Sequence, residues 1–338
     1  MVKYAHEGLG GYGTVSDEPL PTDSDPSLPV NGDNSPEHKS GEFESVDDLP
    51  EVVYHYTSLD AMAKIFDSQT LWCTAISYLN DFSERNVVRS AVRVQLEILR
   101  KGGAPVDPAL SLIDDPYTHA GSRLSSFANE TFVASFGSNN DSLTHWRSYC
   151  PQHSGVAIGF KKQALNNARI NDKPVPGTTS EEIAFGRVNY LAHEDWKTIN
   201  GIIRLAIHYA KKTTERVSTR PDAYTLAHYF SMYIDRIAAA SKLNAFEAEC
   251  EYRLVLFGLF GRENNLKFRT VRSTLIPYVE VFIPSTSSSV EVWDAVESVT
   301  IGPTANMELT SRSVRAFLDI RGAHDVRLLA SGIPYRDW

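Results

Sequence analysis

Two apolar runs of strand length, TFVASF (Thr131–Phe136) and GVAIGF (Gly155–Phe160), constrain this chain more than any other feature. Each is too short for an ordinary helix and lies beside turn-forming residues, so both read as strands. The stretch between them, GSNNDSLTHWRSYCPQHS, is polar. Further strand-like segments are Val52–Thr57, Leu71–Ile76, Glu182–Tyr190, Glu249–Leu256, Tyr278–Ile283, Val296–Ile301 and Val326–Ser331. Helical spacing marks Leu59–Asp67, with Ser58 as its cap, and Ser83–Lys101, with an apolar stripe through Val88, Val94 and Leu96. It also marks Trp196–Arg216, Ala223–Leu243 and Ser311–Leu318. Strands separated by helices in this way, without internal repeats, predict an α+β fold on a mixed or largely antiparallel sheet.

The texture changes at Leu49. Residues 1–48 are rich in Pro, Gly, Ser and Asp and lack periodic apolar positions. Such a stretch buries too little surface to offset chain entropy and reads as a disordered leader, with a partner-binding tail as the alternative. Residues 49–338 then form the α+β domain, with a helical insertion at about 196–243. The formal charge of −9 belongs to the leader: residues 1–50 hold 11 acids against the two bases Lys3 and Lys39, and the remainder holds 31 of each. A neutral body has no general attraction for nucleic acid. No apolar run approaches the roughly 20 residues of a membrane-spanning helix. The N-terminus lacks the order of a secretory signal. Three cysteines far apart, Cys73, Cys150 and Cys250, predict reduced thiols in a cytoplasmic protein.

Four stretches could carry chemistry. In VVYHYTS, strand alternation puts His55 and Thr57 on one face, a polar face that solvent or a ligand must meet. In FEAECEYRLVLF, alternation predicts Glu249, Glu251 and Arg253 on one strand face. Two carboxylates about 7 Å apart persist together if wet, bridged by a cation such as Arg253, or used in chemistry. An exposed Glu–Arg ladder is the plain alternative. In YLNDFSE, Asp81 suits a helix N-cap with Glu84 in the reciprocal position. In LTHWRSY, Arg147 stands between Trp146 and Tyr149, which suits a phosphate or a stacked base and equally suits packing beneath a loop. Cys150 and His153 make one C-x-x-H pair with no second pair, so no metal site is expected. Walker, G-x-S-x-G and strand-linked G-x-G-x-x-G motifs are absent.

The segments YHYTS, YLNDFSE, ASF, WRSY, GVAIGF, ECEYR, IPYVEV, TIGP and SGIPYR occur in an order that resembles a large bacterial family named only as domain of unknown function 2971. This resemblance covers nearly all of residues 52–336 and brings no chemistry with it. A more distant one does. H-x-T on a first strand, a helix, a short second strand and a glutamate opening a later strand are similar to ADP-ribosyltransferase-like domains. The nearest branches are the DNA-modifying toxins and the RNA 2′-phosphotransferases.

The second resemblance implies an ADP-ribosyltransferase-like split sheet with flanking helices, whose cleft binds NAD as co-substrate. It implies transfer of ADP-ribose to a protein or nucleic acid, or NAD hydrolysis, in a toxin or antiviral setting. By the same resemblance Glu251 would stabilise the cationic ribose of the transition state, and Glu249 would orient the acceptor. His55 would bind a ribose hydroxyl, with Thr57 helping to fix the cofactor. Tyr78, with Tyr56 behind it, would stack on nicotinamide. Arg147 and Arg253 complete the cofactor-binding set. With Arg269 they would be the phosphate donors of the alternative, RNA 2′-phosphate transfer; a non-catalytic binding module is the other alternative. The chain departs from the pattern in carrying no Ser-Thr-Ser between the H-x-T strand and ECEYR, where Ser135-Phe136-Gly137-Ser138 is the nearest stretch (Ser285-Thr286-Ser287 follows ECEYR), and in carrying His rather than Arg in the first motif.

Overall fold

The computed structural model describes residues 49–334, apart from 80–81, 103–129, 151–154, 171–182, 192–195, 218–222, 258, 260–262, 272 and 288–292. The acidic leader, the Asp81 cap and His153 lie outside the described residues.

The first strand, β1 (Val52–Ser58), runs straight into α1 (Leu59–Ser68). The Ser58 hydroxyl caps α1 by accepting the Ala61 N–H at 3.1 Å. Gln69 ends the helix in the left-handed region, at φ 55. Then follow β2 (Thr70–Ala75), a 3-10 turn (Ile76–Tyr78) and α2 (Phe82–Lys101). The two apolar runs become β3 (Thr131–Gly137) and β4 (Gly155–Lys161), with α3 (Leu143–Tyr149) between them and α4 (Lys162–Asn166) after. Next come β5 (Ile183–Arg187), β6 (Asn189–Leu191), α5 (Trp196–Val217), α6 (Ala223–Ala239) and β7 (Ser241–Leu243). A 3-10 turn (Asn244–Glu249) leads into β8 (Glu251–Phe257). The chain continues through β9 (Leu266–Val271), β10 (Thr274–Phe282), β11 (Val296–Ile301), α7 (Met307–Ile320) and β12 (Arg327–Ala330).

Among the described residues ten strands form one open sheet in the order β12-β11-β4-β1-β3-β2-β10-β9, antiparallel except where β11 meets β12. A third arm leaves from β3: β8 pairs along its whole length, and β5 pairs with β8. That pairing leaves one edge of β3 for two strands. β1 meets it at Gly137, and β2 meets it at Phe132 and Val133. Between those contacts β1 and β2 diverge, and Ala134, Ser135 and Phe136 edge a fork in the sheet.

Burial explains why the runs that announce strands are apolar. β4 lies between β1 and β11, and β8 between β3 and β5, so both edges and both faces are covered. Every residue of β8 is buried, Glu251 and Arg253 included. The main core packs Ile65 and Phe66 of α1 and Leu318 of α7 against sheet residues such as Phe160 and Val299. A second apolar cluster joins α2, α5 and α6, and Ala239 at the end of α6 sits in a small cluster with Val133 and Val255 of the sheet.

Several boundaries differ from expectation for physical reasons. The segment Glu182–Tyr190 is two strands, since β5 belongs to the large sheet while β6 pairs in parallel with β7. The helix expected over Ala223–Leu243 stops at Ala239, and its last residues become β7. Glu249 is not on the strand: it ends a 3-10 turn, and Cys250 at φ 44 reverses the backbone before β8 begins. On α2 Val88, Val92 and Leu96 are buried, while Val94 is 46% exposed.

Candidate active-site cleft

The fork opens into a cleft of about 570 Å³, lined by β1, α1, β2, β3, α3, Glu251 and the edge strand β9. That volume lies within the range of small-molecule pockets, roughly 300–1,000 Å³. Gly137 organises one end. In register, Tyr54 pairs with it from β1 and Glu251 from β8. The His145 ring lies directly over it: a Cβ at Gly137 would stand 2.8 Å from His145 Nε2. Thus β1, β8 and α3 meet at Gly137, where β8 brings Glu251 and α3 brings His145.

His55 lines the cleft, and its Nδ1 lies 2.9 Å from the Ser135 carbonyl across the fork. A carbonyl only accepts, so Nδ1 carries the proton and donates it. Burial pulls the His55 pKa below its ordinary value; the Ser135 carbonyl opposes this and the Arg269 charge adds to it. A neutral imidazole with Nδ1–H leaves Nε2 as a hydrogen-bond acceptor. Thr57 lines the same cleft.

Glu251 reaches the cleft from a buried cluster of charges. Arg253 grips its carboxylate from the side, Nε to Oε1 at 2.8 Å and Nη2 to Oε2 at 3.2 Å. The Lys242 ammonium, fully buried, lies 2.9 Å from Glu251 Oε2 and 2.8 Å from Glu249 Oε2. Burial works to raise the Glu251 pKa, but Arg253, Lys242 and the Ser135 hydroxyl outweigh it and hold the acid at about 2. Arg253 also donates to the Ala239 carbonyl at 2.8 Å, tying the cluster to α6. Lys242 therefore bridges the two acids, while Arg253 grips Glu251.

The remaining expected residues separate into those near the cleft and those away from it. Glu249 does not line it and touches the site through Lys242. Arg253 lies behind Glu251. Tyr78 is 38% exposed at the end of its 3-10 turn and does not line the cleft, although its neighbour Leu79 does. Arg147 is exposed on α3, away from the lining, while His145 and Tyr149 beside it line the cleft. Tyr56 borders the cleft, but its hydroxyl donates to the Asn139 carbonyl at 2.6 Å and accepts the Ser142 N–H at 3.0 Å. Its ring packs against His145 and Trp146, so the phenol fastens α3 onto β1.

Sequence reasoning missed His145, Lys242 and Trp72. The spacing of His145 and Tyr149, four apart on a helix, was the available signal for the first. His145 is buried, and its pKa is lowered by burial, opposed by Glu249 and Glu251 and aided by Lys242. Its Nδ1 bonds the Ser142 hydroxyl at 2.8 Å. Burial pushes the thiol of Cys150, close by, up to about 12.

The motif glycines and the C-terminal segment support this end of the cleft. A Cβ at Gly155 would stand 2.7 Å from Cys150 Sγ, and one at Gly302 would stand 2.9 Å from the Trp146 ring. Asp141 accepts from Trp146 Nε1 at 2.8 Å, from the Ser331 hydroxyl at 2.6 Å and from the Gly332 N–H at 2.8 Å. The GVAIGF, TIGP and SGIPYR segments thus meet around Trp146. Among the described residues no group of His, Cys, Asp and Glu could hold a metal ion, and no helix is long and apolar enough to cross a membrane.

No curated protein and no solved structure matches the chain. Residues 145–254, the span from His145 through Lys242 to Glu251 and Arg253, match the family described as Protein of unknown function (DUF2971).

Proposed function

We propose that the cleft binds NAD as a substrate and that the protein is an ADP-ribosyltransferase-like enzyme, breaking the nicotinamide–ribose bond for transfer or hydrolysis. The observation that carries this reading is the convergence of His55 and Glu251 on one cleft. Breaking that bond builds positive charge on the ribose. A carboxylate already ionised at the reacting centre stabilises the charged state more than the ground state, which is the condition for catalysis. Glu251, held at about 2 by its cations, is ionised across the neutral range. His55 accepts a ribose hydroxyl proton at Nε2 while Ser135 holds the ring. Ser135 is the neutral donor on Glu251, and so the one a substrate hydroxyl replaces at least cost. Glu249 orients the acceptor through its shared Lys242. A toxin or antiviral role belongs to the same reading.

Incubation with NAD, with nicotinamide followed by chromatography, tests the proposal. Release that requires Glu251 supports it. Absence of both release and an NAD-dependent thermal shift refutes it and favours a binding module. RNA 2′-phosphate transfer is the second reading, favoured by Arg269 in the cleft lining. Loss of a 2′-phosphate from a model RNA onto NAD, with nicotinamide released only when that RNA is present, would select it.

A further inference from the structure

We infer that the end of the cleft between α1 and β9 is a phosphate-binding subsite, built on the Arg269 guanidinium with the Thr74 hydroxyl and the Lys64 ammonium. It rests on the NAD reading only for its natural ligand, the diphosphate of the dinucleotide.

Arg269 projects from β9 across β10 to β2, where its Nη2 donates to Thr74 Oγ1 at 3.0 Å. Its Nε–H is buried with no hydrogen-bond partner among the described residues. A buried donor on a charged group left unmatched is costly, so a missing acceptor is the economical explanation. Nε and Nη2 form the edge by which guanidinium grips oxyanions side-on, the mode Arg253 uses on Glu251. Thr74 accepts from Arg269 and keeps its own hydrogen for a second partner.

The local charge favours an anion. Arg269 makes no ion pair among the described residues, whereas Lys267 beside it is matched by Glu280 at 2.6 Å. Across the cleft Lys64 lies 5.6 Å from the Trp72 ring, and Arg269 lies 5.8 Å from the same ring. Asp60 is the acid at this end and is held by Lys64 at 2.7 Å. Two cations against one acid leave a net positive charge where a phosphate would sit. The Arg269 charge also reaches His55, so the subsite adjoins the proposed ribose-binding group.

Titration calorimetry with ADP-ribose, adenosine and inorganic pyrophosphate tests this, on wild type and on Arg269→Gln, Arg269→Lys and Thr74→Val. Far-UV circular dichroism verifies each fold. Wild type should bind ADP-ribose and pyrophosphate. Arg269→Gln should weaken both at least tenfold and leave adenosine unchanged, Arg269→Lys should recover part of the loss, and Thr74→Val should lose less. Equal affinity of wild type and folded Arg269→Gln for both phosphate ligands, or no binding of either by wild type, overturns the subsite. Arg269-dependent binding without nicotinamide release leaves the subsite standing and removes the NAD-cleavage reading. Nicotinamide release with an unchanged KM for NAD in Arg269→Gln does the reverse.

Discussion

His55 donates its Nδ1 proton to the main-chain carbonyl of Ser135 at 2.9 Å, and that bond fixes the tautomer of the ring. That carbonyl belongs to β3 at the fork between β1 and β2, so the sheet topology itself sets which ring nitrogen is left as the acceptor. Ser135 also bonds Glu251 through its hydroxyl, so one residue of β3 touches both proposed site residues.

The lowered pKa of His55 gives a pH signature. With the folded value below 6.5, the unfolded chain binds the proton first as pH falls, so stability is full above 6.5 and declines below it. His145 shifts in the same direction. Urea midpoints between pH 7.5 and pH 5 should fall for wild type and fall less for His55→Gln. Nicotinamide release should lose rate over the same acid limb.

Glu251 contributes in a lower window. Its folded pKa of about 2 lies below the ordinary 4.5, so its stabilisation is complete above 4.5 and is lost as pH drops toward 2. The shift corresponds to something on the order of 3 kcal/mol. Removing a partner exposes the same energy at neutral pH. Lys242→Met, which leaves two carboxylates short of a buried cation, should cost about 3–5 kcal/mol. Glu249→Gln should cost less than about 1 kcal/mol, because its side chain is 21% exposed and Lys242 retains Glu251. Urea denaturation of the two variants checks the contrast.

Some of this was legible in the sequence and some was not. Period-two alternation is local, so the shared face of His55 and Thr57 and the pairing of Glu251 with Arg253 could be read directly. Glu249 could not, because Cys250 enters the left-handed region and breaks the alternation at a residue type that gives no warning. Lys242 was hidden for a different reason: Ser241–Leu243 follows α6 after one residue and reads as its continuation until β6 pairs with it. The edge strand β9 went unmarked because its alternation, Leu266 and Phe268 against Lys267 and Arg269, has only two apolar positions and gives a weak local signal. The convergence on Gly137 depends on Tyr54 and Glu251, both distant along the chain, and no local pattern encodes those contacts.

Gly137 provides a steric test. Ala at this position puts a methyl carbon 2.8 Å from His145 Nε2 and 3.2 Å from two ring carbons, so the imidazole must move. Gly137→Ala should destabilise by about 1–3 kcal/mol, as overpacking does. Its effect on nicotinamide release should exceed that of His145→Gln, because the displaced ring also crowds Glu251. Thermal melts and release assays on both variants check this.

The most direct test is nicotinamide release from NAD by wild type, Glu251→Gln and His55→Ala, each shown to be folded by circular dichroism. The account predicts steady release by wild type and a drop of at least a hundredfold in both variants. Release by folded Glu251→Gln at the wild-type rate, or none from wild type at any NAD concentration, would contradict it.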